Sequence, residues 1–316
     1  MAVTPPPPDP PVEDRPPLSE LLRGALVTPG RQRPGRIYSG EVYARGGRLA
    51  PLSLRPSGRA GFRHVPEPPR GRGAARLAGR HLYVGPLFGI FGHDLVELPG
   101  RLWPLLEAGA RFDGVVAQKF RPGMEALQLR LDATIATVLA AFGIGFEAIR
   151  VVEAPTEVEE LLVPEPALHI NHFGLPVLGD CLRRIAAYHR APPRLGDARG
   201  LYLSRSLLGA SRVANEPELE AAARRLGLLV LHPQLLPLPV QIALAGEAKA
   251  IAGTDGSALH LAAFARRGTR LVSFDTRDLV NQRILNAVAG LDARPVAVLP
   301  GAAVPDPEGL LRRGLA

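Results

Sequence analysis

Residues 200–231, GLYLSRSLLGASRVANEPELEAAARRLGLLVL, run from a short apolar stretch through a polar loop and a helix-forming stretch to a second apolar run. Gly200–Ser204 reads as a buried strand, Glu216–Leu226 as an amphipathic helix and Leu228–His232 as the next strand. The alternation continues with helix Pro239–Glu247, strand Ala248–Gly253, helix Ser257–Arg266, strand Thr269–Phe274, helix Val280–Val288 and strand Pro295–Leu299. Strands that alternate with helices need crossover connections, so the sheet they build is parallel and covered on both faces. The expected unit is a doubly wound α/β domain, and ligands of such domains bind beyond the carboxyl ends of the strands.

Upstream of this unit, the proline, glycine and charge of Ala191–Gly200 mark a linker, which separates residues 19–190 from residues 191–316. In the first half, His81–Pro86, Gly114–Lys119 and Ala148–Glu153 read as strands, and Asp94–Leu106 and Ala126–Phe142 as helices, the second closed by Gly143 in a left-handed cap. Arg36–Tyr43 and Gly47–Leu54 read as short edge strands. Residues 1–18 are dominated by proline and predict a tail with no core of its own.

With 316 residues, 46% of them hydrophobic, the chain can bury two moderate cores. The formal charge of +8 comes almost wholly from arginine, the only lysines being Lys119 and Lys249, and it is interspersed with acidic residues. Aromatic residues make up 5%, too few for a base-stacking platform, so nucleic acid is not the expected partner. Anionic small molecules such as phosphosugars suit scattered arginines better. Cys181 is the single cysteine, which excludes an internal disulfide and a cysteine-based zinc site and suits a reducing cytoplasm. The N-terminus has neither a basic nor an apolar signal region, and the apolar stretch Leu226–Ala245 is interrupted by His232, Pro233, Gln234, Pro237, Pro239 and Gln241. A cytoplasmic protein with at most peripheral contact at the inner face of the membrane is expected.

Three segments carry candidate chemistry. Gly253-Thr254-Asp255-Gly256-Ser257 joins a buried strand to a helix, where backbone N–H groups and the helix dipole can receive a diphosphate. Asp255 is unsuited to touch a pyrophosphate and reads as an acceptor for a ribose or sugar hydroxyl, or as a helix cap. Arg205 and Arg212 lie in the loop after strand Gly200–Ser204 and can clamp phosphate oxygens, or can be ordinary surface arginines. Asn215 reads as the N-cap of the following helix with Glu218 closing a capping box, which leaves Glu216 the better candidate for ligand contact. In the first half, His93, Asp94 and Glu97 gather where a loop enters a helix; His93 can act as a base, or His93 and Asp94 can simply cap and pack. His169, Asn171 and His172 lack a third nearby ligand for a metal, and no Asp-x-Asp element is present to hold a divalent cation.

Together, LYLSRSLLGASRVANEPEL, Val240-Gln241-Ile242-Ala243-Leu244 and IAGTDGSALHLAAFA resemble glycosyltransferase family 61, which includes bacterial capsular polysaccharide proteins and plant xylosyltransferases. FGHDLVELPGRL resembles the family's upstream motif, with His93 on its histidine, Asp94 where an aromatic is usual, and Gly100 inserted between Pro99 and Arg101. Asp255 stands where the family often has His or Glu. The resemblance implies a GT-B-like fold of two Rossmann-like lobes facing a cleft, acceptor on the first and nucleotide sugar on the second. It implies an inverting, metal-independent hexosyl- or pentosyltransferase that needs no cofactor and takes a nucleotide-diphosphate sugar, UDP-linked, as co-substrate and a glycan or polysaccharide precursor as acceptor. His93 and Asp255 are then the catalytic candidates, and Arg205, Arg212, Asn215, Glu216, Gln241, Gly253, Thr254, Gly256, Ser257 and His260 the donor-binding set. The substitutions around His93 and Asp255 leave open a second expectation, a degenerate member serving as a binding or scaffold subunit in polysaccharide assembly.

Overall fold

The computed structural model describes residues 12–33, 37–55, 63–66, 75–119, 125–190, 195–208 and 212–316. The N-terminal tail through residue 11, linker residues 191–194 and the loop tip 209–211 lie outside the described residues. The described chain divides into two compact units, Glu13–Cys181 and Leu182–Ala316.

The first unit is built on a six-stranded sheet of β1 (Ser19–Val27), β2 (Val42–Tyr43), β3 (Ala75–Leu87), β4 (Gly114–Lys119), β5 (Ile149–Val151) and β6 (Thr156–Pro164), in the order β2-β1-β6-β3-β4-β5. The expectation of a parallel sheet holds for β6, β3, β4 and β5, whereas β1 pairs antiparallel with both β2 and β6. Its core gathers Leu22, Ala25, Val27, Val42, Tyr83, Val116, Val158 and Leu161. The expected helix Asp94–Leu106 is instead α1 (Phe91–Glu97) followed by two 3-10 turns, Pro99–Arg101 and Trp103–Leu106. Pro99 and Pro104 lack the N–H that a continuous helix needs. Gly47–Leu54 is likewise no strand: Leu49 makes an isolated bridge to Tyr43, and Pro51 opens a 3-10 turn, Pro51–Ser53. Helix α2 (Glu125–Ala140) is followed by Gly143 in a left-handed conformation (φ 73°), as its sequence predicts. Helix α3 (Val177–Tyr188) carries the chain out of this unit.

The second unit holds β7 (Gly200–Leu203), β8 (Leu228–Leu231), β9 (Ala250–Thr254), β10 (Arg270–Asp275) and β11 (Asp292–Ala297), all parallel, in the order β8-β7-β9-β10-β11. Helices α4 (Glu216–Arg225) and α7 (Pro307–Leu315) press Leu219, Ala222, Ala223 and Leu311 onto Tyr202, Ala252, Val272 and Phe274 of the sheet. Each fully buried leucine, valine or phenylalanine among them contributes roughly 1.5–3 kcal/mol. The remaining helices are α5 (Leu238–Glu247), which packs on β7, and α6 (Val280–Ala289), which packs on the segment Ser257–Phe264. That segment is a 3-10 helix and not the α-helix expected over Ser257–Arg266. Its residues, SALHLAAF, are small and apolar and buried almost throughout against β9, α5 and α6, and tertiary contact on all sides outweighs the preference for α-helical bonding. Two glycines set the strand spacing: a Cβ on Gly200 would lie 2.8 Å from the Ala250 carbonyl carbon, and one on Gly253 would lie 3.0 Å from the Leu203 oxygen. Among the described residues no helix is long and apolar enough to cross a membrane.

Candidate functional site

The strand order of the second unit reverses between β7 and β9: the chain moves outward from β7 to β8, then returns to the other side of β7. At such a switch point the two crossovers leave on opposite faces and a crevice opens beyond the strand ends. The loop after β7 begins with Ser204 and Arg205, and the loop after β9 is Asp255-Gly256. Tertiary structure therefore brings together two motifs far apart in sequence.

Arg205 lies across the second loop. A Cβ on Gly256 would fall 2.8 Å from Arg205 Cζ, so any side chain there would push the guanidinium out of this place. Gly256 also has φ 146° and ψ 177°, a backbone region essentially closed to other residues. Among the described residues the Arg205 side chain makes no ion pair, and its Nε is buried without a partner. Burial, and then the neighbouring Arg212, hold its pKa below the usual arginine range.

Beneath it, Asp255 is fully buried. Its Oδ1 accepts from the Thr276 hydroxyl at 2.8 Å and its Oδ2 from Arg277 Nε at 3.1 Å, with Arg212 Nε at 4.0 Å. Asp255 does not cap the following turn; Gly256 takes the cap position without a side-chain bond, and Ser257 is the first residue of the turn. Arg212 and Arg277 thus flank the Asp255 carboxylate, while Arg205 feels Asp255 and Glu216 through space and makes no ion pair among the described residues. Such a cluster attracts a multivalent anion. Arg277 and Thr276 escaped sequence reasoning because they follow β10, in a stretch with no recognisable loop motif.

Other candidates have structural occupations. Glu216 is buried, and its Oε1 accepts from the Arg205 backbone N–H at 2.9 Å, with the Tyr202 and Thr254 hydroxyls at 3.4 Å. It ties the ends of β7 and β9 to the start of α4, where the helix dipole favours a carboxylate. Asn215 makes no capping bond: its amide donates to Glu218 and to the Val304 carbonyl, and its Oδ1 accepts from Val304 N–H at 2.7 Å. The capping box is replaced by a clasp onto the segment before α7. Gln241 donates to the carbonyls of Pro233 and Leu236, at 2.6 and 2.7 Å, and so pins the loop after β8. His260 is held through Nδ1 by Gln282 Oε1 at 2.7 Å. Ser204 and Ser206 both donate to Glu220 at 2.6 Å; burial alone would raise the Glu220 carboxyl, but these hydroxyls and Arg224 outweigh it and hold it below the usual range.

In the first unit, His93 sits on α1 with Nδ1 2.6 Å from Glu97 Oε1. Arg55 grips Glu97 with two bonds of 2.8 Å. Burial raises the Glu97 carboxyl, yet the Arg55 fork and His93 outweigh it and keep it ionised. An ionised carboxylate only accepts, so the imidazole proton belongs on Nδ1 and the lone pair on Nε2. Asp94 is buried and accepts from the N–H groups of Phe88 and Ile90 at 2.9 and 3.2 Å, which fixes the loop entering α1; burial pushes its carboxyl up to about 6. The resemblance's arginine, Arg101, is a buried strut whose guanidinium donates to the carbonyls of Leu52, Leu54 and Pro164. Among the described residues no group of three or more His, Cys, Asp or Glu side chains is disposed to hold a metal ion.

Sequence comparison matches residues 88–272 to the family described as Glycosyltransferase 61. That stretch runs from the residue that donates to Asp94 to the middle of β10, and includes His93, Glu97, Arg205, Glu216 and Asp255. No curated protein matches the chain.

Proposed function

The chain belongs to glycosyltransferase family 61, and on that premise we propose that it is an inverting, metal-independent transferase of the two-lobed GT-B type that uses a nucleotide-diphosphate sugar. The observation that carries the donor assignment is Arg205, a half-buried guanidinium with no ion-pair partner among the described residues, lying against Gly256 at the switch point of a parallel sheet. A diphosphate supplies a direct partner, and Arg212 and Arg277 add to the field. In this reading Asp255 orients Arg277 and Arg212, and the first unit serves the acceptor.

Inverting transfer forms a bond from the acceptor oxygen to the anomeric carbon as the bond from that carbon to the diphosphate oxygen breaks. His93 Nε2 takes the acceptor proton, with Glu97 holding the tautomer that leaves Nε2 free. The arginines stabilise the charge that grows on the departing diphosphate. The acceptor in this reading is a hydroxyl of a capsule, exopolysaccharide or lipopolysaccharide precursor, the transferred group a hexose or pentose, and the place of action the inner face of the cytoplasmic membrane.

Calorimetric titration with UDP, GDP, CMP and UDP-sugars, with and without EDTA, tests the donor site. Micromolar binding of one nucleotide, insensitive to EDTA and lost in Arg205→Ala, is expected. Absence of binding to all of them would instead favour a scaffold subunit.

A further inference from the structure

In the first unit, two nitrogens of the Arg55 guanidinium face the two oxygens of one carboxylate. Arg55 Nε donates to Glu97 Oε2 and Arg55 Nη2 to Glu97 Oε1, both at 2.8 Å. Glu97 Oε1 is also the oxygen that His93 Nδ1 meets at 2.6 Å. The Arg55 side chain is buried, whereas that of His93 is 30% exposed. Arg55 Cζ lies 4.5 Å from the centre of the Phe88 ring, and that ring lies 5.4 Å, centre to centre, from the His93 imidazole. Arg55 therefore touches both groups that flank the histidine.

Arg55 is itself held from two directions. Its backbone N–H donates to His64 Nδ1 at 3.0 Å, which puts the His64 proton on Nε2, 3.1 Å from the buried Glu41 Oε1. The residues before it, Leu52 and Leu54, offer their carbonyls to the buried Arg101 guanidinium at 2.8 and 3.2 Å, so Arg101 fixes the chain that carries Arg55. Glu41, Arg55 and His64 all precede the stretch that matches the family.

A guanidinium only donates, and each oxygen of Glu97 receives one of its N–H groups. Protonating Glu97 would forfeit the charge-assisted strength of both bonds. Without Arg55, burial leaves Glu97 two ways to lose its exposed charge: to take up a proton, or to pair with an imidazolium. In the first case Glu97 donates to Nδ1 and the ring proton moves to Nε2; in the second both ring nitrogens carry protons. Either way Nε2 loses its lone pair.

We propose that Arg55 is a positioning residue of the transfer reaction, which acts through Glu97 to hold His93 with its proton on Nδ1 and its lone pair on Nε2. This role rests on the reading of His93 as the base, and it adds a residue from outside the family stretch on which that base depends.

The test is nitrogen NMR on the full chain carrying 15N-labelled histidine, at pH 8, where the two ring shifts distinguish both neutral tautomers and the imidazolium. The His93 signals are those lost in His93→Gln. Unaltered protein should show the Nδ1–H form. Two uncharged variants, Arg55→Gln and Arg55→Met, guard against either one failing to fold, and circular dichroism checks each. In both the Nδ1–H signature should be lost, and Arg55→Lys, which keeps the charge, should retain it. A residue that merely supports the fold would not move the tautomer in a folded variant. Nε2–H in the unaltered chain, an unchanged tautomer in a folded uncharged variant, or the same loss in Arg55→Lys overturns the role of Arg55. None of these outcomes touches the base itself, which transfer assays on His93→Ala judge separately: an active variant removes His93 from the reaction and leaves the tautomer result as it stands.

Discussion

The guanidinium of Arg205 lies against Gly256, with Arg205 Cζ 2.8 Å from where a Cβ on that glycine would stand. One residue follows β7 and the other follows β9, so this contact closes the rim of the sheet at the point where its strand order reverses. The glycine meets two demands at once, a backbone conformation denied to other residues and room for an arginine.

Gly256→Ala violates both demands. It should destabilise the fold by about 1–3 kcal/mol, the usual cost of forcing such a backbone conformation, and displace the Arg205 side chain. Chemical denaturation together with nucleotide titration reads the two effects. A variant with unaltered stability and unaltered binding would show that the contact is incidental.

Arg205→Ala removes a half-buried charge that makes no ion pair among the described residues and relieves its repulsion with Arg212. Melting temperature should stay level or rise, while affinity for a nucleoside diphosphate falls by at least tenfold, since charge-assisted bonds to phosphate are among the strongest available. Arg205→Lys should restore charge and recover only part of the affinity, because the ammonium cannot form a two-pronged contact. Loss of stability in the alanine variant would mark Arg205 as a structural residue.

Glu97→Gln keeps the shape next to His93 but replaces an obligate acceptor with a group that can also donate. If His93 is the base, kcat should fall roughly 100-fold, within the range contributed by a positioned proton acceptor, and the pH–rate profile should change. His93→Ala should lose at least as much. Transfer assays on protein shown to be folded by circular dichroism decide the matter: an active His93→Ala variant would remove His93 from the mechanism.

Asp275 gives a pH prediction of definite sign. Its carboxyl is pushed up to about 6 in the folded chain by burial, so the native state holds this proton to a higher pH than the unfolded state does. Stability from this group therefore declines as pH rises from about 4 to about 6 and stays lower above that window. Asp275→Asn abolishes that decline and should gain on the order of 2–3 kcal/mol at pH 7.5, with the gain shrinking toward pH 4. Urea denaturation at the two pH values measures it, and a variant less stable at pH 7.5 than at pH 4, relative to the unaltered chain, would contradict a carboxyl raised by burial.

Several elements could not be read from the sequence because their own residues favour another state. Strand β1, SELLRGALV, and strand β6, TEVEELLVP, are rich in leucine and glutamate, which suit helices as well as strands. They become strands by pairing with each other over Ser19–Val27 and Thr156–Pro164, a choice that exists only once distant segments meet. Helix α7 likewise depends on burying Leu311 against the second sheet.

The alternation of apolar runs and helix-forming stretches from Gly200 onward determined by itself the parallel unit, because period and connection length are local properties. It also determined that the loops carrying Arg205 and Gly256 would share one rim, since all strands of such a sheet point the same way. Only the tertiary structure decided which polar side chains the protein itself satisfies. Among the described residues Glu216 and Gln241 are occupied by protein groups, whereas Arg205 Nε is buried without a partner. Satisfaction of a polar atom depends on every neighbour that folding brings within about 3 Å, and those neighbours come from strands and loops that sequence proximity does not connect.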